Sequence, residues 1–473
     1  MAIQNTIPPI PQTPSQVVPS PGDMVTPPVS AQAPAKPKKK IPKLLMIILG
    51  IFAVVILIFL VIKLVLPRFT KEKEISLVWW GLWENDAEVT ALISEYELQN
   101  PGVIITYKRQ SKEDYRERLT SSLAKNEGPD IFRFHNTWVP MFASELDTLS
   151  SEVLTASEYS QDYYSIAQSD LSGPNGVVGI PLEYDALTLF INKDIFDANG
   201  KTPPTTWDEL RTISKELTVK DEAGIITQAG VALGRTENVD HWPEILSLMM
   251  IQNGVNMNNP SGPLAENALS YFTLYSKGES VWNETLPPST VAFSAGKLAM
   301  YFGPSWRAFE IIDQNPGLNF QTVPLPQLAQ EEGARTSVSL ATYWAEGVWA
   351  RSEQKEKAWN FLKFVSTSES LEALFQASAK TRRFGEPYSR PDMAALLVDH
   401  PILGSIIKLA PDAHSSYLVS RTFDGPTGIN SQMTSYFEDA VNAVNDRTSP
   451  EDALETVSAG VAQVLAQYRL LGQ

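Results

Sequence analysis

ISLVWWGLWENDAEVTALISEYELQNPGVIITYKRQSKEDYRERLTSSLAKNEGPDIFRF, residues 75–134, reads as strand, helix, strand, helix, strand. The short apolar run Ile75–Trp80 predicts a buried strand, and residues 84–99 a helix that stops at the breaker Asn100-Pro101-Gly102. Val103–Arg109 is the next strand, residues 112–125 a second helix, and the turn at Gly128-Pro129 introduces a third strand. Strands joined through helices at this spacing predict a parallel α/β sheet, because parallel neighbours need a crossover connection. A chain of 473 residues is too long for one small domain and suits two sizeable lobes plus accessory segments. No internal repeat of solenoid length is visible.

The stretch before this unit has a different character. Residues 1–37 are rich in Pro, Gln, Ser and Val and cannot bury a core, which predicts disorder with polyproline tendency. A lysine cluster from Lys36 to Lys43 follows, and then an apolar run over 44–66 interrupted by Lys63. The run is long enough to cross about 30 Å of hydrocarbon. It exceeds a signal-peptide core, and the sequence after it offers no small-residue cleavage pattern, so it predicts an uncleaved anchor. Lysines on the upstream side place residues 1–43 in the cytoplasm and the chain beyond Pro67 outside: a single-pass protein of the cell membrane.

Charge and composition narrow the function. Residues 1–66 carry six Lys against Asp23 alone, net +5, which leaves −21 for the rest of a chain whose total is −16. So acidic a body predicts no nucleic-acid partner. The absence of Cys removes disulfides, thiolate metal sites and a Cys nucleophile, and the four His show no metal-binding spacing. No cofactor motif, nucleophile elbow or phosphate loop is present, so neither cofactor nor metal nor catalytic group is expected. Eleven Trp run somewhat high; most are expected in core and interface packing, and a few flat rings near turns suit the apolar faces of pyranoses.

Five segments in order resemble the extracellular solute-binding protein family that includes maltose-binding protein. They are the entry unit 75–109, GPDIFRFHNTWVPMFASE (128–145), GIPLEYDALTLFINKDIFDANGKTPPTTWDEL (179–210), AFSAGKLAMYFGPSW (292–306) and AEGVWARSEQKEKAWNFLKFVST (345–367). The third is the most specific, and the resemblance covers roughly residues 74–473. It implies a two-lobed, periplasmic-binding-protein-like (type II) α/β fold with a cleft between lobes. Crossings near Tyr184-Asp185 and Glu346-Gly347 divide the chain into lobe one, 74–184 and 348–398, and lobe two, 185–347 and 399–473, each expected as a mainly parallel sheet. The resemblance further implies a monomeric receptor that hands a small molecule, a mono- or oligosaccharide, to the permease subunits of an ABC importer. Relatives commonly carry a cleaved signal or a lipidated Cys; this chain has neither pattern.

Strand ends and crossings supply the contacts in such a cleft. By the resemblance these are Trp83 and Glu84 after the first strand, His135, Asn136 and Trp138 after the third, Tyr184 and Asp185 at the crossing, Trp306 after a Gly-Pro turn, and Trp344. Trp242 is a weaker candidate, and Arg382 and Arg383 are within reach of the cleft but expected rather as salt-bridge partners on the lobe surface. Two other readings remain: a membrane-anchored sensor ectodomain whose Pro-rich tail signals inward, and a glycosidase using Glu84 and Asp185 as opposed acids. The segment Thr206-Trp207-Asp208-Glu209 predicts a capped helix start facing solvent.

Overall fold

The computed structural model describes residues 42–64, 74–329 and 337–471. The expectation for a disordered cytoplasmic tail over 1–43 falls almost wholly outside them, as do positions 65–66 of the apolar run.

The chain divides into two units, Met1–Lys71 and Glu72–Gln473. Within the first, Lys43–Leu64 forms one helix of 22 residues, about 33 Å long at 1.5 Å per residue. Its described side chains between Leu44 and Val61 are exposed apolar groups, the composition and length of a membrane span.

The second unit is built on two sheets. The first contains β1 (Ile75–Gly81), β2 (Val103–Arg109) and β3 (Ile131–His135). The second contains β4 (Thr188–Asn192), β5 (Val219–Lys220), β6 (Ile226–Val231), β7 (Leu298–Gly303) and β8 (Phe320–Val323). A last strand, β9 (Trp344–Val348), returns to the first sheet, whose order is β9-β3-β1-β2. β1 runs parallel to both β2 and β3, and β9 closes the edge antiparallel to β3, with Trp344 opposite His135. The expected helices form between these strands. Asn85 caps Asp86–Gln99 by accepting from the backbone N–H of Ala87 and Glu88, and the Glu88 carboxylate accepts from the Asn85 N–H at 3.1 Å. This reciprocal arrangement satisfies donors that the first helical turn leaves open. Gly102, at φ 92, makes the turn into β2.

Two expectations about the lobes need correction. The second sheet, ordered β8-β4-β7-β6-β5, is mostly antiparallel: only the β6–β7 pair is parallel. The return crossing also lies earlier than 347, since the whole of β9, Trp344 to Val348, pairs in the first sheet. Bridges Ile180–Glu346 and Ala186–Ala341 bracket the two crossing segments, which lie side by side. A third connection, residues 380–390, joins them: Tyr184 N–H donates to Pro387 O at 2.9 Å and Ser389 Oγ to Pro181 O at 2.7 Å. On either side of that connection, helix Ser368–Ala379 packs on Asp86–Gln99 and helix Gly404–Leu409 on β8. The closing helices Ile429–Asn445 and Pro450–Gln467 pack on each other and on Pro263–Lys277.

Candidate functional site

Where the crossings meet the ends of β1, β3, β7 and β9, side chains from both lobes enclose a cavity of about 630 Å³. Trp83, His135 and Trp344 reach it from the first lobe, Asp185 from the crossing, and Trp306 from the second. These are five of the nine expected contacts.

Each is held by its neighbours. Trp344 meets Trp83 edge to face at 5.6 Å and His135 at 5.2 Å, an arrangement aromatic quadrupoles favour. His135 Nδ1 lies 2.8 Å from Thr137 Oγ1 and Nε2 3.1 Å from Thr342 Oγ1, and burial pushes its pKa down to about 3, so the ring is neutral. Asp185 Oδ1 accepts from the N–H of Ala186 at 2.8 Å and of Ser305 at 3.1 Å, while Oδ2 accepts from Ser305 Oγ at 2.9 Å. Burial nevertheless pushes its carboxyl up to about 7. Across the cavity Trp306 carries the Arg307 guanidinium 4.6 Å from its ring centre and packs edge to face on His241.

The other four expected residues face elsewhere. Trp138 is fully buried and stacks between Phe142 and Tyr115 in the first-lobe core. Tyr184, 2% exposed, packs on Tyr164 and Tyr343. Asn136 donates to Asp170 Oδ2 at 2.8 Å and lines a separate cavity of about 920 Å³. The Glu84 carboxylate accepts from Arg133 Nη1 at 2.8 Å, and Arg133 Nε donates to Glu346 Oε1 at 2.7 Å. Burial raises the Glu84 pKa, but Arg133 outweighs it and holds the group below the usual carboxylate range. A glycosidase pair of Glu84 and Asp185 therefore does not form: Glu84 is committed to a buried ion pair and does not line the cavity.

Several cavity residues escaped the sequence reading: Glu183, His241, Glu244, Thr342 and Glu386. Arg382 lines the cavity while Arg383 does not, and Trp242 is buried at the start of its helix. Alternation was the signal available for Glu183. In Glu183-Tyr184-Asp185 the two acids face the cavity and the tyrosine faces away, as side chains in extended chain do.

Comparison with known proteins agrees with this architecture. A diacetylchitobiose binding protein of Streptomyces coelicolor is 25% identical over 285 residues, 55% of this chain and 62% of that one. A Brucella abortus binding protein is 21% identical over 57% of this chain and 66% of its own. The chain thus spans just under two thirds of the length of these curated relatives. Among solved structures, the cyclic α-maltosyl-1,6-maltose binding protein of Arthrobacter globiformis superposes with a TM-score of 0.66 at 19% identity, covering 83% of this chain and 99% of that one. This is a likeness of fold. Residues 80–372 match the model of the bacterial extracellular solute-binding protein, and the chain belongs to that family.

Proposed function

We propose that this chain is the solute receptor of an ABC-type importer, binding a neutral mono- or oligosaccharide between its lobes and presenting it to a membrane permease. The observation that carries the reading is the cavity lining: three indole rings, Trp83, Trp306 and Trp344, beside the buried carboxyl of Asp185. Rings cover the apolar faces of a pyranose while a carboxyl takes its hydroxyls. The sugars in the names of a relative and a fold neighbour, diacetylchitobiose and a cyclic maltosyl-maltose, support a carbohydrate of this kind. The helix Lys43–Leu64 anchors the receptor as a single span, with the lobes outside the cytoplasm and working as a monomer.

The test is a thermal-shift screen of the full chain in detergent against maltose, maltotetraose, mannobiose and diacetylchitobiose. A bound sugar raises the apparent Tm by mass action. At least one should do so in a saturable manner and be recovered unchanged. No shift across the panel, or recovery of a cleaved sugar, would contradict the proposal.

A further inference from the structure

Two groups at this cavity carry hydrogen-bonding capacity that nothing among the described residues uses. Oε2 of Glu183, and Nε together with Nη2 of Arg382, are buried and unpartnered, and both residues line the cavity. Glu183 is only 7% exposed. Buried polar atoms are costly to leave unmet, so an orphaned pair at a cavity wall marks a place where something else completes the bonds.

The arginine is not loose. Its Nη1 donates to the Glu386 carboxylate, and its guanidinium lies 5.4 Å from the ring centre of Phe309, which in turn stacks on Phe384 at 4.3 Å. These contacts leave the Nε–Nη2 edge, a planar two-donor fork, held in one orientation. An ammonium group on the ligand would satisfy Glu183 and be repelled by Arg382. A carboxylate or phosphate would do the reverse. Hydroxyls both donate and accept, so two adjacent hydroxyls answer both residues at once. The charges around Glu183 agree with a neutral partner. Burial, together with Glu386 and Glu84, raises its carboxyl well above the ordinary range against the pull of Arg133 and Arg382, and a protonated carboxyl still pairs with a hydroxyl.

We propose that Glu183 and Arg382 are the specificity-determining pair of this cavity, holding neighbouring hydroxyls of one ring of a neutral sugar. This rests on the reading of the cavity as a sugar site, and adds the two residues that select neutral vicinal hydroxyls over charged ligands. The test is calorimetric titration of the full chain with whichever of maltose, maltotetraose, mannobiose and diacetylchitobiose saturates it. Glu183→Met and Arg382→Met, each removing the polar head and keeping an unbranched apolar stem, should each weaken binding about tenfold or more with unchanged circular dichroism. The double variant should lose less than the product of the two, because both hold one ring. Should Glu183→Met fail to fold, Arg382→Met alone decides. A sugar that saturates the parent and binds either folded single variant equally well overturns this assignment and leaves the sugar reading standing. Failure of every sugar to bind the parent overturns both.

Discussion

Glu183, Tyr184 and Asp185 are consecutive and face two ways, and the same division runs through the other strand ends. His135 enters the cavity while Phe134 and Asn136 do not. The sequence marks such positions as strand ends, where turns expose side chains, but not which neighbour turns inward. Trp138 illustrates the limit: its distance from the strand end is as good as that of Trp83, and the packing of Phe142, Tyr115 and Trp344 around it makes it a core residue behind the cavity wall. Glu84 was misread for a related reason. Its partner Arg133 sits 49 positions away in the middle of β3, and the third member, Glu346, 213 positions beyond that. All three are buried, with Glu346 also accepting from the Trp79 indole N–H at 3.1 Å. Arg133→Met leaves two buried carboxyls without their cation and should cost about 3–5 kcal/mol of stability. Denaturant unfolding measures this, and a loss under about 1 kcal/mol would contradict the pairing.

Titration at single residues gives a second prediction with an assigned sign. Burial pushes the Asp170 carboxyl up to about 6, against bonds from Ser415, Asn136 and Tyr343. Between about pH 4 and pH 6 the folded chain therefore keeps a proton that the unfolded chain has lost, and this group's contribution to stability falls as pH rises. His135, pushed down to about 3, acts in the opposite sense: below about pH 6.5 the unfolded chain binds the proton and the folded chain does not, so its contribution rises with pH. The parent's Tm curve mixes both. The difference between Asp170→Asn and the parent isolates one, and it should move in favour of the variant from about pH 4 to pH 7. A difference flat in pH would count against a raised Asp170.

At the scale of elements, the start of the helix Trp207–Glu216 was legible. Thr206 accepts from the Glu209 N–H at 3.2 Å, and the Glu209 carboxylate accepts from the N–H of Thr206 at 3.3 Å and of Thr205 at 2.7 Å. The signal is local, four residues long, and faces solvent as expected. Thr206→Ala should cost about 1 kcal/mol in chemical denaturation, and no cost would show that the cap is dispensable. The first sheet was legible for the same reason, since its parallel strands follow one another through short helices. The second was not. β4 pairs with β7, Thr188 opposite Gly303, across more than a hundred residues, and its five buried residues carry no mark of strand direction. β9 likewise looks, from its sequence, like the end of the second lobe. Only its pairing with β3 places it in the first.

For the molecule as a whole, three connections between the lobes lie side by side: 180–186, 341–346 and 380–390. The cavity sits where they meet the strand ends, so residues distant in sequence converge there; the third connection lies before the boundary at 398 that the motifs implied. The anchor makes a separate prediction. Protease added to intact cells should digest the chain beyond Pro67 and spare a tag at residue 1, and a mature N-terminus at or after Pro67 would contradict it.

A sugar bound between the lobes rests against Trp306, and calorimetric titration of the parent and Trp306→Ala with the sugar that saturates the parent reads that contact. Trp306 is partly exposed at the cavity and contributes little to either core. Its removal should weaken binding about tenfold or more, the apolar and stacking contact of one ring, while circular dichroism and unfolding stay unchanged. Equal affinity of the folded variant and the parent would contradict the account.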